Sequence, residues 1–267
     1  MMKIDPGFYA RLKQTAPGVH AISNQVTAND CANLLLAVGA KPIMARAAEE
    51  MDEITAVCAA TVLNLGTPDD AKYAACEAAG RAANRLKHPV TLDPVGVGAS
   101  RYRLRHTAAL LDAVRPAVIR ANLAEAEALL GRFGQEAGVD SAAGSRERAL
   151  LCAKALAGRY GCAVLLSGPE DIVTDGGAAF AVNGGSDRLR RITGAGCMLS
   201  ALCGAAAVCA DPLTAALTAA AGWKHCARAA EIQIGPRGGI GSLHMALMDQ
   251  AEALAEADLS DVTIEEI

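Results

Sequence analysis

Apolar residues along this chain gather in short runs, and each run is followed by a longer stretch of helical period. The runs AVGAKPIMA (residues 37–45), ATVLNLG (60–66), PVTLDPVGVG (89–98) and PAVIRAN (116–122) precede EEMDEITAVCA, PDDAKYAACEAAGRAANRLK, RLRHTAALLDAVR and LAEAEALLGRF. The runs are nearly continuous rather than alternating, as in parallel strands covered on both faces, so the pattern predicts an α/β fold with a central, mostly parallel sheet and flanking helices. A polar, glycine-containing segment follows (134–148), then a helix to about Tyr160. Three short runs, CAVLLSG, DIVTDG and AAFAVNGG, are separated by turn residues and predict a more antiparallel edge. From Gly194 onward the pattern predicts helix throughout, in three segments broken at Asp211-Pro212 and at GPRGGIGS. No linker, repeat or charge block divides residues 1–267, so a single domain is expected.

Composition narrows the function classes. With 25 Lys and Arg against 29 Asp and Glu, the chain lacks the basic excess a polynucleotide partner requires. Aromatic residues are only 3%, so the core must be built from small side chains closely packed. Nine cysteines, an odd number scattered through apolar patterns, read as reduced thiols in a cytoplasmic protein rather than as a disulfide framework. The start of the chain lacks an apolar leader pattern, and the longest apolar stretch, residues 198–210, is too short for a bilayer span, so no membrane association is expected.

In an open parallel sheet, ligands sit beyond the carboxyl ends of the strands. The residues there are Met44, Asn64 to Gly66, Asp93 to Gly98, Arg120 to Asn122, Ser167-Gly168 and Thr193 to Cys197. The stretch TGAGC opens an apolar helix, so glycines that permit close backbone approach are followed by unpaired N–H groups and the positive end of a helix dipole, a cradle for an anion. A glycine-assisted helix start explains the same stretch on packing grounds alone. Neither GxxxxGK[ST] nor GxGxxG occurs. Asp93 ends a strand-like run, and Glu125 lies about one turn into the helix after RAN. Two such carboxylates beside Arg120 suit a water-rich Mg²⁺ carrying phosphates, while a turn cap and a helix N-terminal charge account for them equally. Cys197, Cys203 and Cys209 are spaced so that successive thiols point about 120° apart on a helix, and they cannot share one metal ion. The five histidines show no metal-binding spacing and read as surface or core-edge residues.

Taken together, VHAISNQVTANDCANLLLAVGAKPIMA, LNLGT, VTLDPVGVGAS, VIRANLAEAEAL, LLSGPEDIVTDG, ITGAGC and GGIGSLHMALMD resemble, in order, the blocks of the hydroxyethylthiazole kinases, members of the ribokinase-like superfamily, over residues 19–249. The resemblance implies a three-layer αβα fold, Mg²⁺ and ATP, and the primary alcohol of 4-methyl-5-(2-hydroxyethyl)thiazole as acceptor in thiamin salvage. It implies that Met44 and Gly194 contact the thiazole, with Asn24 and Gly66 lining its pocket. Arg120 and Ser167 would meet the nucleotide, Asp93 and Glu125 the metal and phosphate region, and Ala195, Gly196 and Cys197 would form the anion hole. The wider superfamily commonly ends this loop in aspartate, the proton acceptor; here Cys197 takes that place. The family's homotrimeric assembly, with sites at subunit boundaries, is implied as well. Ala21, Ala121, Ser167 and Ala195 depart from the family's usual Cys, Gly, Thr and Thr. Rival readings are a kinase for another heterocyclic alcohol such as hydroxymethylpyrimidine or pyridoxal, a non-catalytic nucleotide-binding protein, and a thiol hydrolase built on Cys197, for which no nearby histidine nominates itself.

Overall fold

The computed structural model describes residues 4–132 and 142–267. Most of the polar segment read from the sequence lies outside these residues, and the helix that follows it begins inside that segment, at Ala142. Six strands, β1 (Gly18–Ile22), β2 (Lys41–Ile43), β3 (Ala60–Asn64), β4 (Val90–Asp93), β5 (Val118–Ala121) and β6 (Ala163–Leu166), form five parallel pairs. Then β7 (Asp171–Thr174), β8 (Ala179–Asn183) and β9 (Thr263–Glu266) continue the sheet antiparallel. The strand order is β2-β1-β3-β4-β5-β6-β7-β8-β9.

Along each strand, successive side chains leave on opposite faces. Ala21, Val62, Val118, Leu165, Val173 and Val182 therefore enter one buried layer, and Ile22, Leu63, Ile119, Val164, Ile172 and Ala181 the other. The first layer is covered by α1 (Phe8–Thr15), α2 (Ala28–Ala37), α8 (Ala195–Ala206), α9 (Pro212–Ile234) and α10 (Ile240–Ala253). Helices α4 (Asp70–Leu86), α5 (Arg101–Ala113), α6 (Leu123–Leu129) and α7 (Ala142–Tyr160), with α3 (Met51–Val57) beside α4, cover the second. This is the three-layer α/β arrangement expected from the sequence. The helix starts follow local chemistry: Asp69 accepts from Lys72 N at 2.7 Å, Ser100 from Arg103 N at 3.2 Å, and Asp211 from Thr214 N at 3.0 Å, with Pro212 opening α9.

Four expectations are corrected. The strand β1, which lies inside the sheet between β2 and β3, was not read from the sequence. The run CAVLLSG forms β6, which is parallel to β5 and antiparallel only toward β7. The chain after Gly194 is not helical to its end, because β9 returns to close the edge beside β8. His20 is neither at the surface nor at the core edge: it is wholly buried, its ring nitrogens 3.3 Å from Thr55 Oγ1 and 3.2 Å from Ala45 O. All nine cysteines are free, and among the described residues no helix is long and apolar enough to cross a membrane.

Candidate active site

The carboxyl ends of the parallel strands deliver a connected set of polar side chains into the interior. Asp93, the last residue of β4, is fully buried, and its Oδ2 accepts from Asn64 Nδ2 at 2.9 Å and Ser200 Oγ at 2.7 Å. Its Oδ1 has no hydrogen-bond partner among the described residues and faces Arg120 Nη1 at 3.8 Å. Arg120, from β5, is itself nearly buried; it donates through Nη2 to Ser167 Oγ, and its Nε is also left without a partner. The ion pair is longer than a hydrogen bond, so both charged groups keep unused capacity on the side where they meet. Burial is the main reason the Asp93 carboxyl is pushed up to about 6; Arg120 opposes the shift and Glu125 adds to it.

A cavity of about 640 Å³ opens beside this pair, and Arg120, Ser167, Gly194, Ala195 and Gly196 line it together. Its far wall carries Trp223 and the buried pair Lys224–Asp171, at 3.4 Å. Helix α8 points its N-terminus at the cavity, and Gly194 gives its first-turn amides no side-chain cap. Ala195 N turns back toward Ile192 O at 3.4 Å, whereas the amides of Gly196 and Cys197 belong to the first turn, where a helix leaves its N–H groups without intrahelical acceptors. Two glycines make the approach possible. Gly194 has φ +85°, and a Cβ there would stand 2.5 Å from Thr27 Cγ2; at Gly196 a Cβ would collide with the Arg120 guanidinium. Gly194→Ala is therefore expected to cost about 1–3 kcal/mol of stability, read from the urea midpoint. An unchanged midpoint would show that this turn tolerates a side chain.

A model of the hydroxyethylthiazole kinase family matches residues 9–257. Hydroxyethylthiazole kinase from Nitratidesulfovibrio vulgaris (strain DP4) is 45% identical over 92% of this chain and 91% of its own length. The relative from Methanosphaerula palustris is 42% identical, with 93% of each chain covered. The solved structure of the hydroxyethylthiazole kinase protein from Pyrococcus horikoshii OT3 superposes with a TM-score of 0.87 at 33% identity, covering 97% of both chains. This chain belongs to the hydroxyethylthiazole kinase family. The fold alone is shared further: Staphylococcus aureus pyridoxal kinase in complex with AMP-PCP superposes with a TM-score of 0.65 at 15% identity.

Within this member of the hydroxyethylthiazole kinase family, the residues nominated from sequence divide into two groups. Arg120, Ser167, Gly194, Ala195 and Gly196 meet at the cavity, with Asp93 directly behind Arg120. Asn24, Gly66 and Cys197 form a second group: Asn24 Nδ2 donates to Cys197 Sγ at 3.3 Å and to Asn64 Oδ1 at 3.1 Å, and Gly66 N donates to the same Asn64 Oδ1 at 3.0 Å. Asn64 and Asp93 join the two groups. Met44 is half-buried just beyond edge strand β2, packed against the apolar layer that also holds Cys197. Glu125 directs both carboxylate oxygens at backbone amides, Oε1 to Gly96 N at 2.8 Å and Oε2 to Asn122 N at 2.9 Å, so it completes the capping box that opens α6. Burial pushes the Cys197 thiol up, the Asp93 charge pushes it further, and contacts with Thr27, Asn64 and Arg120 oppose the shift. No histidine is among these neighbours, and a thiol hydrolase would call for one.

Sequence reading missed Ser200, Thr27 and Lys72. Ser200 had a signal in hindsight, a lone hydroxyl one turn after Gly196 in an apolar helix.

Proposed function

We propose that this chain transfers the terminal phosphoryl group of ATP to the primary alcohol of 4-methyl-5-(2-hydroxyethyl)thiazole, the phosphorylation of thiamin salvage, as one kinase domain spanning residues 1–267. The observation that carries the reading is the meeting of Arg120, Ser167 and the α8 N-terminus at one cavity, with the Asn24–Cys197 pair joined to it through Asn64 and Asp93.

In this reading Arg120 and Ser167 hold the nucleotide phosphates, and the amides of Gly196 and Cys197 face the charge that spreads over the transferring group. The acceptor alcohol lies on the Asn24, Gly66 and Cys197 side, with Met44 and Gly194 against the thiazole. A loose phosphoryl-transfer transition state keeps the alcohol proton in place until late, so the chain's main contribution is to align the alcohol behind the phosphorus.

The donor set fits Mg²⁺, because Asp93 Oδ1 is buried without a partner and Mg²⁺ takes only one or two carboxylates besides water and phosphate oxygens. Asp93 would hold it through that oxygen, and Glu125 would add the second carboxylate, since each of its oxygens keeps a lone pair beyond the amide it accepts from. Mg²⁺, when bound, supplies neutralisation of phosphate charge. Among the described residues no group of three or more His, Cys, Asp or Glu gathers as a dedicated cation cage.

We also take the assembly to be a homotrimer with sites at subunit boundaries, which agrees with Met44 lying beyond an edge strand, outside the cavity. The nine free thiols support a cytoplasmic location. The deciding experiment is coupled ADP release with a panel of alcohols. The thiazole alcohol is expected to give the highest kcat/KM among it, hydroxymethylpyrimidine and pyridoxal. A higher value with either rival, or ADP release that ignores the thiazole, overturns the assignment.

A further inference from the structure

Lys72 occupies a position that local physics disfavours twice. It sits in the first turn of α4, at the end of the helix dipole that repels a cation. It is also only 2% exposed, although a lysine is almost never fully buried unless paired. Among the described residues no carboxylate contacts its ammonium. Instead Nζ donates to two backbone carbonyls, Gly66 O at 2.6 Å and Ser23 O at 3.0 Å. Burial lowers its pKa to about 8, which leaves it mostly a cation at neutral pH.

The two carbonyls belong to different loops. Ser23 follows β1 and directly precedes Asn24, whereas Gly66 follows β3 just beyond Asn64. Those loops touch one another: a Cβ at Gly66 would stand 3.0 Å from Asn24 Cβ, and Asn24 reaches Asn64 on one side and Cys197 on the other. Asn24 Oδ1 in turn accepts from Val26 N and Thr27 N at 3.0 and 3.1 Å, so the Asn24 side chain is fixed by its own loop. Moving Ser23 relative to Gly66 would therefore move the Asn24 amide relative to the sulfur. Departures from local preference concentrate where a structure serves a function.

We propose that Lys72 is a positioning residue for the acceptor alcohol, its buried ammonium clamping the loops after β1 and β3 so that Asn24 and Gly66 hold their places around Cys197. The proposal rests on the thiazole kinase reading. It assigns no contact between Lys72 and substrate; the lysine acts through the two carbonyls. It also separates the two halves of the site, since neither carbonyl belongs to a residue lining the nucleotide cavity.

The test is Lys72→Met, which keeps an unbranched apolar stem and removes every donor. The KM for the thiazole alcohol is expected to rise on the order of tenfold while the KM for ATP stays within about twofold. The thermal shift produced by saturating Mg²⁺-ATP should persist, and that produced by the alcohol should shrink. In a cycle with Asn24→Ala, the double variant should show an alcohol KM no higher than that of the worse single variant. Unchanged KM values, a parallel rise in both, or additivity in the cycle overturns the proposal; the parallel rise is what a purely structural lysine would give. Lys72→Gln, which retains a donor on a shorter arm, is read by the same criteria if the Met variant does not fold. A wild-type protein without thiazole-dependent ADP release overturns the functional reading itself, a result that precedes any substitution and is distinct from failure of the clamp.

Discussion

Arg120→Ala is expected to raise the KM for ATP and lower kcat/KM by about 10- to 150-fold, leaving the KM for the thiazole alcohol within about twofold. The size follows from the loss of a charge-assisted contact, about 1.5–3 kcal/mol. Three observations support Arg120 as the strongest lever on the proposed nucleotide side. Its guanidinium is nearly buried, it donates to Ser167, and it presses against Gly196 so closely that no side chain fits between them. Its removal also leaves the Asp93 carboxylate buried without the charge that opposes its upward shift, so Asp93 would be protonated to higher pH. Arg120→Lys restores charge but not the planar fork, and only partial recovery is expected. Steady-state kinetics with each substrate varied in turn checks this. An unaltered KM for ATP together with an unaltered kcat would remove Arg120 from the nucleotide site.

The parts of this molecule legible in the sequence are those set by local pattern. Strands β3, β4 and β5 are apolar runs ending in a polar residue, and parallel strands buried on both faces leave that signature directly. The strand β1 escaped because its five residues, GVHAI, place a histidine at the centre, and only the pairing of that ring with Thr55 and Ala45 O makes the position tolerable in the core. The strand β9 reads TIEE, with three of four residues exposed; it exists because β8 offers a free edge, which a one-dimensional pattern cannot express. The candidate site divides the same way. Residues at strand ends and at the glycine-hinged start of α8 could be nominated from position alone. The contacts of Asn24 with Cys197, of Lys72 with Ser23 and of Ser200 with Asp93 span up to 173 residues of chain and arise only when the layers pack. Glu125 shows the opposite limit: its two amide contacts within the α6 capping box and at Gly96 satisfy a structural reading completely, so only a measurement of Mg²⁺ dependence distinguishes a further role.

The cysteine that ends the TGAGC loop is expected to matter moderately. Cys197→Ala should slow kcat by about 10- to 100-fold, the range for losing a proton acceptor while electrostatic positioning remains, and Cys197→Asp should be active and as fast as the parent or faster. Burial is the first reason: it holds the thiol in its neutral form at physiological pH, which makes the sulfur a poor base. The second is that Asn24 Nδ2 already donates to Sγ, so the sulfur is oriented by an amide rather than activated by a histidine. In the proposed reading the sulfur would serve chiefly to fix the alcohol in line with the phosphorus, and a late proton transfer would ask little of it. An aspartate at the same place would meet the same Asn24 donor and lie within the field of Asp93, which also raises the thiol. A carboxylate so raised approaches the pKa at which a general base works best near neutrality. Steady-state rates of the two variants, with folding checked by circular dichroism, separate the alternatives. A rate untouched by alanine would make Cys197 a small apolar residue at a helix start. Abolition in both variants would mean that the sulfur performs chemistry beyond alignment.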